Sequence, residues 1–341
     1  MDTLSKNGLS KNAAKHAVFI LLGLLGAWAL GVVALRRGEP VNALWIVVAA
    51  ISVYLVAYRY YSRFLADKVV GLDARRPTPA SLNNDGLDYV PTHRHMLFGH
   101  HFAAIAGAGP LVGPVLAAQL GYLPGTLWLI AGVVFAGAVQ DFLVLFISMR
   151  RNGRSLGELV RLEMGETAGL ITLFGTFMIM IIILAVLALI VVKALAHSPW
   201  GMFTVAATIP IALLMGVCLR YLRPGRIGEV SVLGFVLLML AIWGGGLVAQ
   251  TPSLAALFTL SAVQITWLLI VYGFVAAVLP VWLLLAPRDY LSTFLKIGTI
   301  VALAAAIAIV APQLKMPALT SFIDGNGPVW KGSLFPFLFI T

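Results

Sequence analysis

Long, uninterrupted apolar runs dominate this chain, and they restrict its fold more than any other feature. They lie near residues 17–35, 41–61, 97–121, 124–149, 168–192, 201–219, 229–249, 265–286 and 296–311. About 20 apolar residues in a helix cross the hydrocarbon core of a bilayer. The chain therefore reads as an all-α, polytopic membrane protein of about nine spans. A tenth run starts at Phe335 and is cut off at Thr341, so a further span is expected to continue past it. Of 341 residues, 61% are hydrophobic and 11% charged. A soluble domain carries roughly 25% charged residues, so too few remain here to cover a water-facing surface. Length alone suggests two or three soluble domains; the runs point instead to one membrane-embedded region, 1–341.

The net charge of +10 is topological, and no nucleic-acid partner is expected. The basic residues sit in short clusters between apolar runs, where the positive-inside rule acts, and no basic stripe carries interleaved aromatics. With the N-terminus in the cytoplasm and the spans alternating, 18 of the 23 basic residues fall inside. Among them are Lys6, Lys11, Lys15, Arg150, Arg288 and Lys296; only Arg36, Arg37, Lys193, Lys315 and Lys331 fall outside. The first run, from Ala17 to Leu35, exceeds a signal-peptide core and reads as a retained span.

Two segments between runs are distinctive. Residues 66–96, rich in Pro, Asn and Gly, read as a cytoplasmic loop, either linker or gate. Residues 150–166 read as an interfacial helix or a plain connector. Ser155 and Glu158 form a capping box there, Leu156, Leu159, Val160 and Met164 face lipid, and Arg154 and Arg161 face headgroups.

The run 97–121 is expected to be discontinuous. Three glycines and two prolines crowd Gly107–Pro114, and Pro110 and Pro114 each lack an N–H and obstruct the preceding turn. The first piece, Leu97–Ala106, is about 15 Å of helix, half of a core roughly 30 Å thick. Backbone freed there is tolerated only against protein or a water-filled cavity, which is how secondary transporters hold solutes and ions. Gly107, Gly109 and Gly113 are thus candidate substrate-binding positions; close helix packing is the alternative. His100 and His101, near the cytoplasmic start of that half-helix, are further candidates, since imidazole exchanges protons near neutral pH; capping or an interfacial place explains them equally.

Carboxylates inside apolar runs are costly and face a cavity or a partner. Asp141, with Gln140, is therefore a candidate proton-coupling group, or else a structural pair. Glu229 is a third, or simply a first-turn residue favoured by the helix dipole. Pro210, Pro280 and Gly244–Gly246 are candidate hinges or packing positions. Trp28, Trp45, Trp128, Trp200, Trp267 and Trp330 fall where interface anchors do. Cys218, the only cysteine, reads as a packed thiol and rules out an intramolecular disulfide. The sequence has no Walker loop, no metal-ligand cluster and no nucleophile–base pair, so no cofactor, no metal and no enzymatic activity are expected.

At Asn84–Thr92, Gly99–Pro114, Gly137–Phe142, Arg223–Glu229 and Pro280–Leu291 the sequence resembles the carbon starvation protein A family. The likeness covers nearly the whole chain past Arg36. It implies a bacterial inner-membrane secondary transporter induced when carbon runs short, importing pyruvate with protons or taking up peptides. It also implies kinship with amino acid–polyamine–organocation transporters, whose fold uses inverted repeats and broken helices. Members are roughly twice this length, so the chain is expected to be an N-terminal half. The alternative reading is a membrane nutrient sensor that binds solute without moving it.

Overall fold

The computed structural model describes residues 2–35, 41–86, 89–107, 109–329 and 331–340. Expectations that rest on Arg36, Arg37, Leu87, Asp88, Ala108, Trp330 and Thr341 lie outside the described residues. The principal helices are α1 (Asp2–Leu35), α2 (Ala43–Val56), α3 (Arg94–Ile105), α4 (Gly109–Ala117), α5 (Tyr122–Gly132), α6 (Ala138–Arg150), α7 (Leu156–Met164), α8 (Glu166–Leu195), α9 (Pro199–Val217), α10 (Ile227–Gln250), α11 (Pro252–Phe258), α12 (Ala262–Val278) and α13 (Leu285–Val310). Single π-helical turns lengthen several of them: Ala57–Tyr61 and Leu65–Val69 after α2, Val133–Gly137 between α5 and α6, and Cys218–Leu222 after α9.

Among the described residues seven helices are long and apolar enough to cross a membrane, or eight if α11 and α12, bent by 60° at their junction, form one span. Of the nine expected runs, 97–121 contributes no span of that length, because it holds two short helices, α3 and α4. Helix α3, at 12 residues, is about 18 Å long and crosses nothing by itself. A second difference lies near the C-terminal end. Runs 265–286 and 296–311 were expected to flank a loop holding Arg288. Instead α12 ends at Val278 and α13 already begins at Leu285. Pro280 is the cause: it lacks an N–H and pushes Leu279 to extended backbone (ψ 146°). Pro287 falls in the first turn of α13, where its missing N–H has no helical partner to lose. Arg288 and Lys296 consequently ride on a helix, not in a loop.

The described residues group into two compact units. The first comprises Met1–Arg76, Gly109–Leu145 and Ile300–Thr341. In it α1 packs on α2 through Ala29 and Ala49, both fully buried, and Val33, Val41, Tyr122 and Leu123 form a core with Trp45 and Leu314. Asn42 caps α2, accepting from the Leu44 N–H at 2.8 Å and donating to the Ala311 carbonyl at 2.8 Å.

The second unit comprises Pro77–Ala108 and Phe146–Thr299. Its core joins Met215 of α9, Leu238 of α10 and Leu291 of α13, all at most 1% exposed. Cys218 is buried among them. Gly234 leaves room for the Met215 sulfur, and Trp200 Nε1 donates to the Ile242 carbonyl at 2.8 Å. The capping box at Ser155 and Glu158 forms as expected. Helix α7 then folds back on α8, with Gly157 against Leu173. Leu156 and Met164 are exposed, but Leu159, expected to face lipid, is 4% exposed, because the face of α7 that carries it is covered by protein. Helix α8 exposes Phe174, Ile182 and Leu184 along its length; such an apolar surface is stable against hydrocarbon, not water.

Candidate functional site

Helix α3 begins at the His93 cap, whose Nδ1 accepts from the His95 N–H at 3.3 Å. It ends at Ala106, where φ −77° and ψ 55° leave the helical region. The Ala106 N–H still reaches the Phe102 carbonyl at 2.8 Å, but the Gly107 N–H turns to the Ile105 carbonyl. The Ala103 carbonyl thereby loses its i+4 donor, and Lys296 Nζ supplies one at 2.7 Å. An ammonium at a helix C-terminus also meets the negative end of its dipole. The discontinuity expected in 97–121 is therefore present, but it precedes both prolines. Pro110 sits in the first turn of α4, where no N–H is needed, and α4 continues through Pro114 to Ala117. Pro114 deletes one hydrogen bond of a helix that stops three residues later, less than one further turn.

Helix α13 fastens α3 with a stripe of polar side chains at spacings of four and three, the spacings that share a helix face. Asp289 Oδ2 lies 3.0 Å from His100 Nδ1. Thr293, 5% exposed, donates to the Gly99 carbonyl at 2.7 Å, and Lys296 completes the stripe. The helices approach this closely because residue 99 is glycine: a Cβ there would sit 2.5 Å from Tyr290 Cδ2. The Tyr290 hydroxyl in turn pairs with Ser231 of α10 at 2.8 Å. His100 Nδ1 is covered, while the side chain as a whole is 34% exposed. Arg288 points elsewhere, to the hydroxyls of Tyr272 and Thr208.

The exposed edge of His100 lines an open groove of about 830 Å³. Its walls include Asn84, His93, Met96, Arg220 and Trp282. The Arg220 guanidinium lies 4.2 Å from the centre of the Trp282 ring and donates through Nη1 to the Gly86 carbonyl at 3.5 Å; a stacked guanidinium keeps its remaining N–H groups in one plane, the geometry that suits a carboxylate.

The other sequence candidates disperse. His101 is exposed on α3; Gly107, half-buried, lies two residues past the end of α3; Gly109 is exposed and Gly113 buried on α4. Gln140 is exposed and Asp141 half-buried, in the first turn of α6 just past a π-helical turn. Their neighbours Val139 and Phe142 line an apolar pocket of about 240 Å³ with Tyr54, Tyr58 and Tyr61. Glu229 occupies the first turn of α10, 2.8 Å from Arg226, with both side chains more than half exposed. Asp289, Lys296 and Arg220 were not singled out as site residues from sequence. A trace existed in the spacing of Asp289, Thr293 and Lys296, but their partners on α3 lie some 190 residues away in the chain, as the separation of 193 between Ala103 and Lys296 illustrates.

The chain matches known proteins in sequence. The family described as carbon starvation protein CstA matches residues 42–341. The pyruvate/proton symporter BtsT of Escherichia coli K12 is 68% identical over 332 residues, 97% of this chain and 46% of that protein. The peptide transporter CstA of the same organism is 69% identical over 329 residues, 96% of this chain and 47% of that protein. The peptide transporter CstA of Campylobacter jejuni is 58% identical over 325 residues, 95% of this chain and 46% of that protein. The chain spans about half the length of the curated relatives it matches. No solved structure matches it. With a family match over residues 42–341 and these identities, the chain belongs to the carbon starvation protein family.

Proposed function

We propose that the full-length protein is a secondary transporter that takes up pyruvate or short peptides together with protons when carbon is scarce. The observation that carries this reading is α3: a short apolar helix that stops at Ile105 and sets the ionisable His100 on the groove beside Arg220. Pyruvate and a peptide C-terminus share a carboxylate, and a guanidinium with an imidazole is a fitting recognition pair for it. The names of the relatives, one a pyruvate/proton symporter and others peptide transporters, support both substrates alike. Gly107, Gly109 and Gly113 stay with this reading as further candidate positions for solute. Asp141, with Gln140, and Glu229 stay with this reading as carboxylate-bearing positions for proton coupling; Asp141, half-buried, meets the requirement better than the solvated Glu229.

The same reading places the protein in the bacterial inner membrane with its N-terminus in the cytoplasm and α7 at the cytoplasmic interface. The α3–α4 break and the bent pair α11–α12 support kinship with amino acid–polyamine–organocation transporters, whose spans are broken in this way.

Full-length protein in proteoliposomes is expected to accumulate labelled pyruvate or a labelled dipeptide when the outside is acidic, and each unlabelled solute competes only if it is a substrate. Each elementary charge moved gains about 2.3 kcal/mol per 100 mV, enough for visible accumulation. Uptake indifferent to the pH gradient eliminates symport, and solute binding without flux points to a sensor.

A further inference from the structure

The three fastenings between α13 and α3 are chemically unequal. Thr293 carries no charge, and Lys296 caps a carbonyl whose i+4 N–H, that of Gly107, is turned to Ile105. The contact between His100 and Asp289 is the one whose strength depends on a proton that imidazole binds and loses near neutral pH. It also has the right exposure for exchange. Nδ1 is covered and faces the carboxylate at 3.0 Å, whereas the ring edge borders the open groove. Nδ1 is turned to the Asp289 carboxylate, which leaves Nε2 as the ring nitrogen that takes up a proton.

Resting on the transport reading above, we propose that His100 and Asp289 are the proton-coupling pair of this protein. A proton from the acidic side adds to Nε2, the imidazole becomes imidazolium, and its ion pair with Asp289 clamps α3 against α13. Loss of that proton to the other side leaves a neutral imidazole and weakens the clamp, so the groove wall is free to change shape. One proton binds and the same number leaves; no other bond is made or broken.

The surrounding charges do not displace this assignment. On α13, Asp289 is the carboxylate that acts on both His100 and Lys296. Lys296 is committed to the Ala103 carbonyl and Arg288 to Tyr272 and Thr208. On α10, the Ser231 hydroxyl pairs with Tyr290 of α13, and Glu229 is held by Arg226. Helices α9 and α12 bring no charged side chain at all. On α3 itself Arg94, His95 and His101 are exposed, as is Arg220 across the groove.

Asp289 does not border the groove, so it separates coupling from solute recognition. The test uses the full-length protein in proteoliposomes, with two assays on Asp289→Asn. Exchange of labelled for unlabelled solute at equal pH requires no net proton turnover and is expected within threefold of wild type. Accumulation driven by a pH gradient is expected to fall at least tenfold. In His100→Gln, the dependence of net uptake on pH between about 6 and 8 is expected to flatten. Accumulation by Asp289→Asn at the wild-type level overturns the proposal. So does loss of exchange by Asp289→Asn at an unchanged melting temperature, or loss of accumulation in Asp141→Asn while Asp289→Asn retains it. Wild-type protein that accumulates neither solute under the gradient overturns the transport reading, and the pair's role with it.

Discussion

Helices α3 and α8 belong to the same unit, yet they are held in opposite ways. Helix α8 runs 30 residues without interruption, with 6% of its apolar window buried. It satisfies its own backbone and meets its surroundings through Phe174, Ile182 and Leu184. Helix α3 stops after 12 residues, and its unfinished backbone is completed by side chains of α13. A self-sufficient helix tolerates change along its exposed face. A broken one depends on a handful of contacts, each with a determined geometry.

Glycine substitution should break the comparison most sharply. Gly99→Leu drives a side chain into Tyr290, where the ideal Cβ position is already 2.5 Å from a ring carbon. Overpacking of this kind costs about 1–3 kcal/mol or more, so melting in detergent should drop by many degrees and α3 should separate from α13. Gly175→Leu on α8 meets nothing within 4 Å and should melt at or slightly above the wild-type temperature. Equal losses in the two variants would erase the distinction between the helices.

Thr293→Val is a finer probe. It removes the hydroxyl that donates to the Gly99 carbonyl at 2.7 Å and keeps the shape. Gly99 still has the Ala103 N–H as helical partner, so the cost should be that of one hydrogen bond, about 0.5–1.5 kcal/mol. Thermal unfolding measures it, and a change beyond 3 kcal/mol would show that the seam is cooperative.

The smallest effect is expected at Glu229→Gln. Its partner Arg226 lies 2.8 Å away, but the two side chains are 55% and 59% exposed, and such pairs contribute about 0–1 kcal/mol. Gradient-driven uptake by this variant at less than a third of the wild-type level would return Glu229 to the coupling machinery.

Much of this molecule was legible in order along the chain. Apolar runs of about 20 residues specify spanning helices because the bilayer leaves backbone no other partner, so α1, α2, α5–α6, α8, α9 and α10 follow from composition. The capping box at Ser155 and Glu158 and the first-turn place of Glu229 are local too, set by groups three or fewer residues apart. The break after Ile105 was readable from glycine and proline content, although its register was not: whether Pro114 ends a helix depends on what the remaining turns gain elsewhere. The loop expected around Arg288 failed because Pro280 punctuates the chain more strongly than charge does.

What the sequence determined by itself is an apolar, all-helical chain of spanning segments with one discontinuous helix, because hydropathy and proline act through neighbouring residues. What only the tertiary structure decided is which ionisable groups meet. His100 faces Asp289, and Lys296 closes the end of α3, across nearly 190 residues or more of intervening chain. No local rule encodes that pairing, since it arises from helix packing that a glycine at position 99 permits.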